Sequence, residues 1–323
     1  MRSITMVPAE LRAVLGFAAL TALAGCGGST ETATASIPFI AAVREHAGRA
    51  WMEREAKRRD LLYVATGDNV YVISYPRGEL VGSLGVPGND LCADRKGNVF
   101  VPSSGYVVLE YAHGGIYPLQ TLHGGDVPLG CAVDPISGDL AVTQEASGAG
   151  DVAIFPQAKE PAALYRDPEI ATFGLCGYDD QGNLFVDGTG SGNYLAELPK
   201  GRGEFRNYPL AMKFAAFGGI QWDGAHVAFS DPLSDTIYRL RFARSSLRVT
   251  GATRIKGWVN SYSGHWPYIQ TWLAKGTFIA QSSDLAELGL WRYPGGGRSD
   301  GTLGPFLTGN VDIYGVTLST ARR

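Results

Sequence analysis

Cys92-Ala93-Asp94-Arg95-Lys96-Gly97-Asn98-Val99-Phe100-Val101 is the stretch whose reading decides the fold. It reads as strand, aspartate-containing turn, strand. Gly97-Asn98 supplies the positive φ that a tight hairpin needs. Related runs are Cys131–Val142 (CAVDPISGDLAV), Cys176–Val186 (CGYDDQGNLFV) and Ile220–Phe229 (IQWDGAHVAF). A divergent copy is Tyr268–Leu273 with Thr277–Ala280, around Lys275-Gly276. After the hairpin comes an alternating strand that ends in an aromatic or a leucine, usually before proline. Its six copies are Val70–Pro76, Tyr106–Ala112, Asp151–Pro156, Tyr194–Pro199, Ile237–Ala243 and Leu288–Pro294. The anchors Tyr75, Tyr111, Phe155, Leu198, Phe242 and Tyr293 are spaced by 36, 44, 43, 44 and 51 residues. A period of this size with only strand and turn signals predicts propeller blades.

The first blade begins at Leu61 with LLYVAT and has no leading strand. Ile313-Tyr314-Gly315-Val316-Thr317-Leu318 can supply it from the far end of the chain. The expected fold is therefore all-β: a six-bladed β-propeller over 61–323 whose C-terminal strand closes the first blade and removes its open edge.

The repeated runs resemble NHL repeats and the wider six-bladed propellers related to them. The resemblance covers about residues 61–320. An aspartate usual after the second strand of the repeat is present as Asp187 in blade four, and one residue further on as Asp231 in blade five. Blades one, two, three and six have Thr66, Pro102, Thr143 and Gln281 there.

Near the N-terminus, Arg2 and Arg12 precede a short apolar run centred on Val14–Leu20. Its length is too small for a permanent span, so it reads as an export signal. The run closes on Leu23-Ala24-Gly25-Cys26, which resembles the lipobox of bacterial lipoproteins. The resemblance implies cleavage after residue 25, lipid on Cys26 and a place in the cell envelope. Gly27, with no aspartate there, implies the outer membrane if the host is Gram-negative. Residues 26–38 read as a flexible tether. Residues 39–60 read as a short amphipathic segment, with Ile40, Val43, Ala47 and Trp51 at helical spacing. Without residues 1–25 the chain holds 26 basic and 30 acidic residues in no long run, which argues against a nucleic-acid partner.

The candidate chemistry is sparse. Cys92, Cys131 and Cys176 fall at near-equivalent places on successive inner strands. They read as buried, unbridged thiols, since their blades differ and no metal-type Cys or His spacing occurs. His113 and His123 read as turn residues of blade two. Asp187 and Asp231 either line a pocket or cap their own turns. The long connection Gly257–Tyr268 (GWVNSYSGHWPY) carries Trp258, Tyr262, His265, Trp266 and Tyr268, which either form a binding face for peptide or glycan or pad the gap between blades.

The leading expectation is a non-enzymatic binding or scaffolding module with an envelope protein, peptide or glycan as partner, and with no cofactor or metal. The alternative follows from the resemblance, because some six-bladed relatives are divalent-cation-dependent lactonases. Calcium or a similar cation would then need converging oxygens, with Asn89, Asp90, Glu145, Asn260 and Asp312 as donors.

Overall fold

A computed structural model describes residues 48–145, 149–210, 217–244, 246–258, 270–282, 287–304 and 313–322. Six antiparallel sheets follow one another along the chain and form a six-bladed β-propeller. Blade two runs outward from the axis as Cys92–Ala93, Val99–Ser103, Val107–Tyr111 and Pro118–Leu122. Blade three is Val127–Val133, Leu140–Glu145, Asp151–Phe155 and Ala163–Tyr165. Blade four is Ile170–Tyr178, Leu184–Gly190, Asn193–Leu198 and Arg206–Leu210. Blade five is Gly219–Trp222, Val227–Asp231, Thr236–Ala243 and Ser246–Lys256, with Gly297–Arg298 added in parallel at its rim. Blade six is Trp272–Ala274, Thr277–Gln281, Leu288–Arg292 and Gly301–Leu303.

The repeated alternating strands are the third strands of the blades. Their inward residues pack between neighbouring sheets. Ala141, Val152 and Ile154 of blade three meet Phe173, Cys176 and Val186 of blade four in one apolar cluster. Gly97, Gly138 and Gly182 take φ of 86°, 79° and 80° in the inner hairpins, as a tight turn requires.

Ring closure is as expected. Ile313–Ser319 is the innermost strand of blade one and pairs with Asp60–Thr66, register Leu61↔Ser319 to Thr66↔Ile313. Val70–Tyr75 and Leu80–Ser83 complete the blade. Blade two is fastened to this closing strand from the side. His113 Nδ1 lies 2.7 Å from Ser319 Oγ, and Ser319 Oγ donates to Gly97 O at 2.6 Å. Burial lowers the His113 pKa, against the opposing pull of the Arg59 carbonyl 3.0 Å from Nε2 and of Asp60.

Two expectations are corrected here. Trp51 belongs to a short strand, Trp51–Met52, on the outer edge of blade one opposite Gly82 and Ser83, not to a helix. An exposed blade edge offers unpaired backbone groups, and these outweigh the weak helical periodicity of so short a run. The helical residues Ile40, Val43 and Ala47 lie outside the described residues. The second correction concerns the cysteines: Cys92 and Cys131 form a disulfide, with Cα atoms 5.7 Å apart, and among the described residues Cys176 alone is free, and it is buried. Inner strands of adjacent blades converge on the axis more closely than separate sheets do elsewhere. Glycines permit the approach, since a Cβ at Gly130 would stand 3.0 Å from Gly174 O in the next blade. That convergence puts two cysteines of different sheets within bridging distance.

Candidate binding site at the channel mouth

One residue near the end of the second strand (Pro102, Thr143, Asp187, Ser230 and Gln281 in blades two to six) lies at a shared register, and there the blades are stitched together. In blade three Thr143 Oγ1 accepts from Gly130 N–H at 2.8 Å and donates to Gly174 O of blade four. In blade four Asp187 accepts from Leu175 N–H and from Gly218 N–H, both at 2.6 Å, and so reaches blade five. Ser230 Oγ of blade five lies 3.0 Å from Thr271 Oγ1 at the start of blade six. Gln281 Oε1 accepts from Ile313 N–H of the closing strand at 3.3 Å. Blade two has Pro102 at this register, which offers no side-chain polar group. Asn89 and Asp90 act instead: Asn89 Nδ2 donates to Pro128 O and Asp90 Oδ2 accepts from Cys131 N–H, each at 2.8 Å.

This belt assigns the two aspartates read from the sequence. Asp187 is fully buried and joins two blades; it neither lines the cavity described below nor caps its own turn. Burial pushes its carboxyl well above the usual carboxylate range, against the three backbone amides that favour the charge. Asp231 does cap its turn, accepting from Leu233 N–H at 3.0 Å and from Ser234 Oγ at 2.7 Å. Ser230, not Asp231, holds the axial register in blade five. Asp90 is also fully buried, and burial pushes it up to about 8 although the amides of Cys131 and Leu91 oppose the shift. The Cys176 thiol is raised by burial first and then by the negative fields of Asp90 and Asp187, which suits an inert thiol.

Above the belt, a cavity of about 310 Å³ opens at the end of the axis where the inner strands begin. Its described walls come from blades one, two and three: Gly67 and Tyr314, Asn89 and Ser104, and Val127, Leu129 and Glu145. The phenol of Tyr314 lies over the bare Cα of Gly67, where an added Cβ would stand 3.1 Å from the ring. Two of the oxygen donors read from the sequence, Asn89 and Glu145, therefore share one cavity, with Asp90 directly behind Asn89. Asn260 and Asp312 lie outside the described residues. No group of three or more His, Cys, Asp or Glu side chains suited to a metal ion occurs among the described residues.

Of the aromatic connection, only Trp258 is described; Tyr262, His265, Trp266 and Tyr268 lie outside the described residues. Trp258 is 5% exposed and packs edge-on against Phe278 with ring centroids 5.4 Å apart. It fills the seam between blades five and six, in one cluster with Ile237, Ile255, Phe278 and Trp291, so as a surface anchor it is corrected. Ser104, Val127, Leu129, Gly67 and Tyr314 were not evident as site residues in the sequence. The signal that could have found them is positional, since each ends a second strand or opens an inner strand on the side of the closing strand.

A scan of protein-family models and a search of curated proteins found no match. Solved structures do match in fold. One is a chain of a nidogen/laminin complex, 12% identical, covering 82% of this chain and 100% of its own, with a TM-score of 0.63. A protein of unknown function from Bacteroides caccae is 12% identical, covers 81% of this chain and 99% of its own, and has a TM-score of 0.58. A streptogramin B lyase is 12% identical, covers 83% of this chain and 97% of its own, and has a TM-score of 0.55. At such identity the similarity establishes the fold alone: this chain is a six-bladed β-propeller built of repeats.

Proposed function

We propose that this chain is an extracytoplasmic binding module, held to a membrane by lipid on Cys26, whose channel mouth receives a ligand of the cell envelope. The observation that carries the reading is the cavity itself. Three blades contribute to its walls, and it combines aliphatic, aromatic, amide, hydroxyl and carboxylate groups in a rigid frame, as small ligand sites do. The fold leaves the choice of function to the site, because its structural neighbours include both a protein–protein complex and a lyase. The Cys92–Cys131 disulfide supports residence in an oxidising compartment. The NHL-like pattern and the lipobox support a tethered envelope propeller, in the outer membrane of a Gram-negative host.

The test has two arms. Cys26→Ala is expected to move the protein from the membrane fraction to the soluble fraction, since two or more acyl chains are what anchor a lipoprotein stably; retention after a high-salt wash sinks the tether. For the mouth, native mass spectrometry of the protein mixed with a small-molecule or peptide extract of the envelope is expected to show an adduct. Ser104 is exposed at the rim, so Ser104→Trp should block the adduct with an unchanged melting temperature. An adduct that survives the blocking tryptophan places the ligand elsewhere.

A second reading, a divalent-cation-dependent hydrolase of lactone-like substrates, is favoured by the meeting of Asn89 and Glu145 in one cavity. It expects ester or lactone hydrolysis that calcium restores after chelation.

A further inference from the structure

The segments that carry the lining residues are uneven in charge. Residues 67–69, 84–91, 104–106, 123–127, 145 and 313–315 hold Asp68, Asp126 and Glu145, besides the buried Asp90, whose carboxyl keeps its proton. Their basic side chain is His123, which is exposed and lies 3.0 Å from Glu160 Oε1. Arg166, nearby in blade three, is engaged with Asp151 at 3.2 Å. Asp68 and Asp126 each adjoin a lining residue, Gly67 and Val127, and Glu145 is itself in the wall, so among the described residues the charges beside the cavity are mainly negative. Clefts of one sign with low-dielectric walls concentrate the opposite charge.

A separate observation concerns the floor. Asp90, fully buried behind Asn89, leaves Oδ1 without a hydrogen-bond donor. That oxygen faces the bare side of Gly315, where a Cβ would stand 2.8 Å away, and Gly315 is the neighbour of the lining Tyr314. Gly315 closes that oxygen off, so it belongs to the packing beneath the wall and not to the cavity lining. The wall also offers an aromatic face, which favours a cation.

We propose that the channel mouth engages its ligand through an ammonium or guanidinium group, with Glu145 as counter-ion, the Tyr314 ring as side wall, and Asn89 and Ser104 as hydrogen-bonding neighbours. This rests on the cavity being the ligand site and adds the class of ligand. A cavity of about 310 Å³ suits a small amine or one basic side chain of a peptide, not a folded partner.

The test is calorimetric titration of the intact protein in detergent with three probes of one shape: 2-phenylethylamine, 2-phenylethanol and 3-phenylpropionate. The amine is expected to bind one to one, about tenfold or more tighter than the alcohol, and to weaken as salt is raised. Glu145→Gln, at the end of a strand and only half-buried, is expected to lose about the same factor for the amine and none for the alcohol. Ser104→Trp separates the two levels of the argument. If the alcohol and the carboxylate bind as well as the amine and the tryptophan blocks all three, the cation class is overturned while the cavity stands as the site. Amine binding that Glu145→Gln leaves unchanged, or no uptake of the amine by the wild-type protein, overturns the cation class as well; the envelope extract then decides the cavity independently.

Discussion

The junction between blades two and three and the junction between blades four and five meet the same need with different chemistry. At the second, one carboxylate suffices: Asp187 takes an amide of its own blade and an amide of the next, both at 2.6 Å. At the first, Pro102 occupies the equivalent place and removes that option. There the work is divided among Asn89, Asp90 and the Cys92–Cys131 disulfide. The closer contact is covalent, yet the Asp90 carboxyl beside it keeps one oxygen without a partner. A repeat thus conserves the position of a seam more strictly than the residue that fastens it.

The comparison can be broken by variants at the two junctions. The largest effect is expected from Cys92→Ala with Cys131→Ala. The bridge spans 39 residues, and a loop of that size is worth about 4 kcal/mol in the chain-entropy account. Guanidinium unfolding should show the loss; a change under 1 kcal/mol would mean that Asn89 and Asp90 hold the junction unaided. Next comes Asp187→Ala, which strands the amides of Leu175 and Gly218 in the core. Each buried unpaired donor costs about 1–3 kcal/mol, so a loss near 3 kcal/mol is expected in the same assay.

The smallest effect, and the one that depends on pH, belongs to Asp90→Asn. With its carboxyl held up to about 8, folded Asp90 keeps a proton that the unfolded chain has already lost above about pH 4. Stability should therefore fall as pH rises through that window and level off above it. Asp187 is raised by the same cause, so it adds to the slope in the same sense. Asp90→Asn should leave the melting temperature near that of the wild type at pH 5 and flatten part of its decline toward pH 8. An unchanged slope would show that Asp90 is ionised in the folded protein at neutral pH.

What was legible in the sequence is what is local. Gly97-Asn98, Gly138-Asp139 and Gly182-Asn183 announce hairpins because a turn is decided by the residues within it. The closing strand was legible because blade one lacks a partner that Ile313–Leu318 can supply. The axial belt was hidden, because its bonds join residues such as Asp187 and Gly218 on different sheets. Asp231 shows how narrow the margin is. A shift of one residue along a strand reverses the face, so an aspartate one place past the axial register caps a turn and Ser230 takes the seam. The cysteines failed for a related reason: their spacing in sequence says nothing of how sharply inner strands converge. In the cavity, Asn89 and Glu145 were named as oxygen donors, but Tyr314, Ser104 and Leu129 carry no chemical signature apart from where the fold puts them.

The innermost strand of the first blade is synthesised after the strands of all five other blades. Until Ile313–Ser319 arrives, the blade that folds nearest the N-terminus presents Asp60–Thr66 with one side unpaired. An apolar edge of that kind invites pairing with other chains. The vulnerable interval lasts while the five other blades are made. A factor that covers this edge would shorten the exposure, and the yield of native protein should depend more on how soon the closing strand arrives than on the strength of any single blade.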